Sequence, residues 1–565
     1  MRRRTNVSTK KSLTKKNIRW FFWGFFLLGF GWLVWQWNAF FAGHSHLVPQ
    51  EGGVYTEDIV GEFNNTNPLS ESLGEFDKSL QRLIYAGLVE YSPVTEQFEP
   101  ALATFRITNN GEKYTLTLKD SARFSNGDPV TMDDVAFTFK EVIQSPGFLS
   151  PLLKERFEYV TINILSDRVV EFVLPVANVS FLQALTTPIL QKKQFAGASL
   201  KEILDAQYRA NRSPVGAGPF RLKNIVHKPD GTSRVFLQRN PYYFKATPYL
   251  KDIVFEVSTR AKLPAENKST ACINCSKVQS DEAVVEQRAY ELPRYVGLFF
   301  NTEGEWGQYQ AVRNALQFGV DRTVLLEGNE GWNITNSPFA SWGIYDEWLF
   351  SGQLGRRSLI DGGFKWDKEK QTRFYKGKPV VIKMLVSTQP PVFSRFAQQI
   401  QRQWQKHLGV EVDLQILEPE LFLNAVATRS YDVVLTGVDF SDIFNPTAVW
   451  HSQQSGKLNL ANLTNDGVDS LVREYQLFGS KSDLGLLHEK LRKLGVVLPL
   501  FTPKYTWFVA KELKGVSRNF KKLPKHSDRF FGVESWYLNE KKDWDIPANK
   551  TKLGMFFEFL FGTNS

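Results

Sequence analysis

The sequence of 565 residues contains only two cysteines, Cys272 and Cys275, in the order Cys-Ile-Asn-Cys. One such pair is too little for a four-thiolate zinc site. The pair lies in a polar, loop-like stretch instead of opening a helix after a strand, which disfavours thioredoxin-type redox chemistry. Outside the membrane we expect a local disulfide that closes a surface loop, with a free surface pair as the alternative.

Motifs of common catalytic sites are also missing. The seven histidines are scattered, and the chain has no His-Glu-x-x-His motif, serine nucleophile elbow, Walker lysine motif or dinucleotide glycine fingerprint. The paired carboxylates Asp133 and Asp134 are explained by a helix cap that Thr131 begins. We therefore predict that the chain is not an enzyme and has no cofactor and no metal site.

Positive charge is concentrated at the N-terminal end of the chain. Residues 1–19 hold eight basic side chains and no acidic one: Arg2, Arg3, Arg4, Lys10, Lys11, Lys15, Lys16 and Arg19. Without these eight, the formal net charge of +10 falls to +2. So small an excess of positive charge over the rest of the chain does not indicate a surface that binds nucleic acid, and we expect no nucleic-acid partner.

The segment Trp20–Phe41 carries no charged residue and is mostly Phe, Trp, Leu and Gly. At about 1.5 Å per residue it can cross the ~30 Å of membrane hydrocarbon. Because basic flanks stay in the cytoplasm, we predict a single-pass cell-membrane anchor with residues 1–19 cytoplasmic and everything after residue 42 outside. The alternative is an atypical signal peptide, although the apolar run is long and Phe40 is bulky where cleavage prefers a small residue.

The rest of the chain reads as mixed α and β. Residues 379–437 predict the order strand, helix, strand, helix, strand, which indicates a partly parallel sheet with crossover helices. Ligands bind such sheets beyond the carboxyl ends of the strands, so the segment after Leu435 is a place to look for a site. Tyr114–Leu118 alternates in hydrophobicity and predicts a further strand.

A series of short motifs occurs in order along most of the chain. They are Gly52–Tyr55, Asn67–Pro68, Leu83–Leu88, Phe124–Val135, Pro214–Phe220, Arg239–Tyr243, Phe300–Thr302 and Val312–Leu316. With these, residues 52–540 resemble the bacterial family 5 extracellular solute-binding proteins, whose members carry oligopeptides, dipeptides, nickel chelates and some sugars. Phe124–Val135 is close to the family pattern F-x-D/N-G-x-P-L/V-T-A-x-D-V. The glycines of Pro214–Phe220 also have a structural explanation, since they let the chain bend tightly.

The resemblance implies an α/β protein with a two-lobed, periplasmic-binding-protein-like fold of type II, an extra subdomain, and one N-terminal transmembrane helix before it. The implied segments are a cytoplasmic tail (1–19), an anchor (20–41), a linker (42–51), lobe I (52–88), the extra subdomain of lobe I (89–213), lobe I again (214–297), lobe II (298–505) and the C-terminal part of lobe I (506–565). Hinge closure of the lobes would bury a solute between them.

The resemblance also implies a site for the ammonium group of a peptide. Counting back from Pro446 places Asp442 on the aspartate that holds this group in peptide-binding members. The match departs from the family loop in two ways, because Asp439 stands at the tryptophan position and Asn445 replaces the second acid. Asp439 is therefore a rival for the role, and a turn or helix-cap aspartate is the structural alternative.

Residues for the other side of the cleft are less defined. A solute carboxylate could be met by basic residues of the segment expected to form lobe II, namely Arg356, Arg357 and Arg373. Trp342 and Trp450 are expected either to flank the cleft or to pack in the core.

We thus expect a membrane-anchored binding protein that delivers peptides or peptide-like solutes to the permease and ATPase subunits of an ABC importer. The alternatives are a non-peptide solute such as a sugar or metal chelate, a cell-surface sensor or adhesion protein with the same fold, and an envelope hydrolase. The apolar segment Gly554–Gly562 is too short to span a bilayer. It is expected to pack on lobe I, touch the membrane surface or meet the permease.

Overall fold

In the computed structural model of the chain, the described residues are 15–70, 74–178, 180–229, 231–258, 271–273, 285–329, 331–441, 447–455, 457–517, 522–544 and 550–561. The chain divides into two compact units. One contains Met1–Gly52 and Tyr537–Ser565, and the other contains Gly53–Trp536. The second unit therefore ends before the last part of the segment that the sequence assigned to lobe I.

The helices are short except for α1, α11, α13 and α14. They are α1 (Lys15–Gly43), α2 (Glu75–Ile84), α3 (Met132–Ala136), α4 (Pro151–Phe157), α5 (Phe181–Ala184), α6 (Leu200–Leu204), α7 (Arg209–Arg212), α8 (Gln310–Phe318), α9 (Arg322–Leu326), α10 (Gly352–Asp361), α11 (Pro391–Leu408), α12 (Pro419–Ala427), α13 (Asp466–Phe478), α14 (Lys481–Leu494) and α15 (Lys552–Phe561).

The strands lie in both units. They are β1 (Ser45–Gln50), β2 (Val54–Val60), β3 (Val89–Ser92), β4 (Gln97–Pro100), β5 (Ala103–Thr108), β6 (Lys113–Leu118), β7 (Thr161–Ile164), β8 (Val169–Val173), β9 (Phe220–His227), β10 (Ser233–Arg239), β11 (Asp252–Ser258), β12 (Ala271–Ile273), β13 (Val285–Glu291), β14 (Arg294–Phe300), β15 (Trp332–Ile334), β16 (Lys365–Asp367), β17 (Thr372–Tyr375), β18 (Lys378–Pro379), β19 (Val381–Ser387), β20 (Glu411–Leu417), β21 (Val433–Asp439), β22 (Val497–Ala510) and β23 (Asn539–Trp544).

The unit that contains both chain ends is built on α1. Within α1, Trp23–Gly43 is the one stretch in the described part of the chain that is long and apolar enough to cross a membrane, and a signal sequence has the same properties. Strand β1 follows α1 and pairs antiparallel with β23, from Ser45 opposite Trp544 to Gln50 opposite Asn539. The predicted apolar segment at the C-terminal end forms α15, which packs on the last turns of α1.

The other unit is organised by a mixed sheet of 12 strands in the order β20-β19-β21-β14-β22-β12-β2-β11-β10-β9, with β13 and β15 also paired to β22. Strand β22 spans 14 residues. Its first part pairs with β14 and its last part with β12 and β13. We call the half of the sheet with β14, β15 and β19–β21 lobe II, and the half with β2 and β9–β13, on which α2 packs, lobe I.

In lobe II, β19 runs parallel to β20 and to β21, and α11 and α12 form the crossovers. Two apolar clusters cover the sheet, one containing Trp404 and the other Trp450. Strand β14 contributes Leu298 to the first cluster and Phe299 to the second, so they lie on opposite faces. The arrangement predicted for residues 379–437 is confirmed.

We call the part of the chain built on the four-stranded antiparallel sheet β5-β6-β8-β7 and the β3–β4 pair the subdomain. The strand predicted at Tyr114–Leu118 is confirmed as part of β6. The predicted capping box is confirmed as well: Thr131 Oγ1 accepts from the N–H of Asp134 at 3.3 Å, and Asp134 Oδ2 accepts from the N–H of Thr131 at 2.9 Å. A short π-helix, Phe137–Ile143, continues from α3.

Two glycines before β9 permit a close approach of backbones. A Cβ atom at Gly216 or Gly218 would collide with the backbone of Leu83 and Ile84 at the end of α2. The structural explanation given for the glycines of Pro214–Phe220 therefore holds.

Candidate functional site

Lobes I and II are connected by adjacent antiparallel strands. Strand β13 ends at Glu291, and β14 begins at Arg294 after Leu292 and Pro293, while β22 runs back beside both strands. Rotation of one lobe against the other needs dihedral changes at only a few residues of such connections. Side chains from both lobes that meet beside these strands are therefore in a position to control closure.

Arg294, the first residue of β14, contacts an acid from each lobe. Its Nη2 lies 2.6 Å from Oε1 of Glu75, in the first turn of α2, and its Nε lies 2.7 Å from Oδ2 of Asp439, at the end of β21. Its Nη1 donates to the Tyr505 hydroxyl at 3.1 Å. Burial opposes the charged guanidinium, but the Tyr505 oxygen and the two carboxylates outweigh this and raise the pKa of Arg294 above its ordinary value.

Asp439 already has partners for both carboxylate oxygens. Oδ2 meets Arg294, and Oδ1 accepts from the N–H of Ser441 at 2.8 Å. A solute ammonium at Asp439 would have to share this carboxylate with the guanidinium. Asp442, the other predicted ammonium partner, lies outside the described residues together with Asn445. Both assignments stay predictions.

An aromatic cluster lies beside Arg294. Tyr290 and Tyr505 stack with ring centroids 5.8 Å apart, and His526 stands edge-on to Tyr505 with centroids 4.4 Å apart. The Tyr290 hydroxyl is 2.7 Å from Nδ1 of His526. Burial, followed by nearby cations of which Arg294 is the strongest, lowers the pKa of His526 to about 2. The imidazole is therefore neutral at physiological pH.

This shifted pKa predicts an acid-sensitive contribution to stability. An unfolded histidine has a pKa of about 6.5. Below that pH, His526 is protonated in the unfolded state but stays neutral in the folded state. His526 thus contributes stability that is present above this pH and is lost as the pH falls.

Between about pH 7 and about pH 5, we expect the unfolding free energy of His526→Gln to fall by about 2 kcal/mol less than that of the wild type. Urea unfolding of the full chain measures this, and the exposed His227→Gln is the control. An unchanged pH dependence in His526→Gln would contradict the assignment.

The short segment that carries His526 is fixed to lobe I by a buried ion pair. Arg529 and Glu57 are 1% and 0% exposed, with Nε 3.1 Å from Oε1 and Nη2 3.3 Å from Oε2. The Tyr55 hydroxyl donates to Glu57 at 3.0 Å, and Arg529 Nη1 donates to Ser79 Oγ of α2 at 3.0 Å. Burial raises the pKa of Glu57 even though Arg529 opposes the shift. The pair holds α2 and the His526 segment against the sheet.

A cavity of about 320 Å³ lies along α2. Its wall comes from α2, from residues 524–528 and from the subdomain. Lys78, Gln81 and Arg82 line it from α2, and the spacings of three and four residues from Lys78 place them on one helical face. Tyr85, the extended residue directly after α2, also lines it. Glu75 precedes Lys78 by three residues on the same face, so this face runs from the Arg294 contacts to the cavity.

The charged groups of the cavity wall are mostly basic. The basic ones are Lys78, Arg82, Arg156 and Lys525, and the acidic ones are Glu90 and Asp528. Glu90 is already neutralised, with Oε2 3.1 Å from Arg82 Nη2 and Oε1 2.6 Å from Lys245 Nζ. Burial raises the pKa of Asp528, partly offset by Arg82. The wall therefore carries more basic than acidic side chains.

The arginines and tryptophans considered from the sequence lie elsewhere. Arg373 is buried and donates to two backbone carbonyls, Arg356 donates to the carbonyl of the penultimate residue of α11, and Arg357 pairs with an acid one turn later in α10. Trp450 is buried in the core of lobe II, and Trp342 packs partly buried against the same cluster. These five side chains have structural partners within lobe II.

Sequence reasoning missed Arg294. A usable signal was available, because an arginine directly before the almost wholly apolar strand Tyr295–Phe300 must find a charged partner or solvent. The cavity residues Lys78, Arg82 and Tyr85 also went unnoticed, since they fall within the scaffold motif Leu83–Leu88 and the segment before it.

The predicted cysteine pair is only partly visible. Cys272 is buried in β12, so the expectation that it lies in a surface loop is wrong. There is no free cysteine in the described ranges. Cys275 lies outside those ranges, so its pairing with Cys272 stays a prediction. Within the described part of the chain, no three His, Cys, Asp or Glu side chains are grouped so that they could hold a metal ion.

Comparison with known families gives the class of protein. A sequence model described as "Bacterial extracellular solute-binding proteins, family 5 Middle" matches residues 97–459. The chain belongs to this family. The match begins at β4 and ends shortly before α13, and it confirms the resemblance predicted from motifs such as Phe124–Val135.

Relatives in family 5 extend the likeness over most of the chain. The oligopeptide-binding protein AppA of Bacillus subtilis is 22% identical over 521 residues, which are 87% of this chain and 92% of AppA. The structure of AppA in complex with a nonapeptide aligns with a TM-score of 0.66 and 21% identity, over 87% of this chain and 100% of AppA. NikZ of Campylobacter jejuni in complex with Ni(L-His) aligns with a TM-score of 0.66 and 19% identity, over 86% of this chain and 99% of NikZ. These structures share the fold of this chain.

Proposed function

We propose that this chain is a membrane-anchored, extracytoplasmic binding protein that captures a peptide or peptide-like solute and delivers it to an ABC importer. The cavity along α2 carries the proposal. A solute in this cavity contacts α2, which bears Glu75, and the segment that bears His526. Glu75 pairs with Arg294 between the lobes, and His526 lies close enough to Arg294 for the guanidinium charge to lower its pKa. Solute binding can therefore favour one arrangement of the lobes over another.

The chemistry of the wall supports a peptide as the solute class. The basic groups would hold a carboxylate, and Tyr85, Tyr91 and Phe98 offer aromatic surface for side chains. A peptide carries both features, whereas a neutral sugar lacks the charge. The structure of AppA is of a complex with a nonapeptide, which agrees with this class, and that of NikZ is of a complex with Ni(L-His), which makes a metal chelate the alternative.

The charge pattern and α1 support the proposed topology. In this proposal α1 is an uncleaved anchor, the basic residues 1–19 remain in the cytoplasm, and the two lobes lie outside. Permease and ATPase subunits of the importer would be the partners.

Native mass spectrometry of the full chain, released from membranes in mild detergent, tests both parts. We expect a co-purified peptide or peptide-like solute. A sugar would overturn the assigned solute class. The same spectrum gives the mass of the chain, and a chain that has lost residues 1–42 would contradict the anchor.

Arg156 provides a test of the cavity. We expect Arg156→Gln to weaken binding of the identified solute by about 10- to 100-fold, since a charge-assisted hydrogen bond contributes about 1.5–3 kcal/mol. Isothermal titration calorimetry measures the change. Lys154→Gln is the matched control, because Lys154 lies in the same helix α4 but outside the cavity wall. Equal affinities for the two variants would place the solute elsewhere.

A further inference from the structure

Helix α15 is apolar around most of its circumference. Of its residues Lys552–Phe561, only Lys552 and Glu558 are charged. Leu553, Phe557 and Phe559 are 56%, 48% and 53% exposed. A helix that is apolar on all sides is normally enclosed by a protein core or by lipid.

The contacts of α15 are with the last turns of α1. The ring of Phe556 lies 4.8 Å from that of Trp37, and the ring of Phe559 lies 4.7 Å from that of Phe40. Phe40, Phe41 and Phe556 form a small buried core. The packing of Phe556 and Phe559 on α1 fixes the position of α15 along the axis of α1, at the C-terminal end of the apolar span.

In an anchored chain, this end of the apolar span lies at the interface between membrane and water. The span Trp23–Gly43 has 21 residues, and at about 1.5 Å per residue it matches the ~30 Å of hydrocarbon. Side chains around α15 are of the kind found at interfaces, because Lys552 Nζ stands over the ring of Trp544 and Lys550 pairs with Glu558 at 2.6 Å. The polar groups of this region can stay in water while the apolar ones face the acyl chains.

We propose that α15 lies in the outer leaflet interface, with Leu553 and Phe557 inserted among the lipid acyl chains. This inference rests on the proposed anchoring by α1. Lipid is the occupant because the exposed apolar face is continuous with the packed end of the membrane span. The helix gives the protein a second membrane contact, at the opposite end of the sequence from the anchor. Exposed Lys541 and Lys542 of β23 add positive charge that favours anionic lipid.

Site-specific fluorescence of the full chain in vesicles tests the insertion. Phe557→Cys and Glu558→Cys are each labelled with the polarity-sensitive dye NBD and reconstituted in phosphatidylcholine–phosphatidylglycerol vesicles. Glu558 is the matched control, because it lies about 100° around the same helix from Phe557. Wild-type protein taken through the labelling gives the background from Cys272 and Cys275. We expect lipid-borne nitroxide to quench the label at residue 557 severalfold more than the label at 558, and aqueous iodide to show the reverse order.

Two results would overturn the inference. Equal quenching of both labels by iodide would place α15 in water, and protection of residue 557 from iodide and nitroxide alike would mean that protein covers it. A third label at Leu28→Cys, within the span, separates this outcome from a failure of the anchor. If the label at residue 28 is not quenched by nitroxide, the anchoring itself is wrong; if it is quenched and the label at 557 is not, only the interfacial helix is wrong.

Discussion

Replacing Arg294 by methionine should open the protein and weaken solute binding by about 10- to 100-fold. The substitution removes the cation that lies 2.6 Å from Glu75 of lobe I and 2.7 Å from Asp439 of lobe II. Two carboxylates then face the same gap without a counter-charge. The hydrogen bond from Nη2 to Glu75 joins two charged groups, and a bond of this kind contributes about 1.5–3 kcal/mol, so the arrangement in which the lobes meet loses that order of free energy.

Two measurements check the effect of Arg294→Met. Calorimetry with the solute identified by mass spectrometry gives the affinity, and electron–electron resonance between spin labels at the exposed Lys223 and Glu474 gives the distance between lobes. Arg288→Met is the control, since Arg288 pairs with Glu286 of its own strand, 3.2 Å away, within lobe I. If Arg294→Met and Arg288→Met leave the same interlobe distance and affinity, the contacts of Arg294 do not govern closure.

The largest effect on stability is expected at Arg529. Arg529→Met leaves the Glu57 carboxylate, 0% exposed, without its cation. Removing one partner of a buried pair costs about 3–5 kcal/mol, because an uncompensated charge remains in the interior. Burial already raises the pKa of Glu57 with the arginine present, and the remaining carboxylate would be expected to take up a proton.

Urea unfolding of the full chain measures the loss at Arg529. The double variant Glu57→Leu with Arg529→Met should recover a large part of it, since no buried charge is then left. Lys493→Gln breaks the exposed pair of α14 with Glu489 and should change the unfolding midpoint little. A loss in Arg529→Met no larger than in Lys493→Gln would show that the buried pair does not stabilise lobe I.

Much of the fold could be predicted because its signals are local. The strand and helix order of residues 379–437 follows from hydrophobic periodicity, and the start of α3 follows from a capping box of four residues, Thr131–Asp134. The anchor segment required only an uncharged run and a basic flank.

The candidate site could not be predicted in the same way, because its contacts join distant parts of the chain. Arg294 and Glu75 are 219 residues apart, and nothing in the neighbourhood of either one indicates the other. The sequence pointed to Arg356, Arg357 and Arg373 because of their place in the segment expected to form lobe II. Such a position does not tell which side chains face the other lobe. The packing of α15 on α1 depends on a contact between opposite ends of the chain and gave no local signal.

The pairing of β1 with β23 has a practical consequence for producing the protein. The two ends of the chain fold together, so shortening one end alone disturbs the other. A secreted version that begins after α1 but retains α15 would uncover Phe556, which is 5% exposed in the intact chain, and would leave an apolar helix without its partner. Such a protein is expected to aggregate or to retain detergent. Cutting both ends together, at Gly53 and Trp536, follows the boundary of the compact unit and leaves neither β1 nor α15 without its partner.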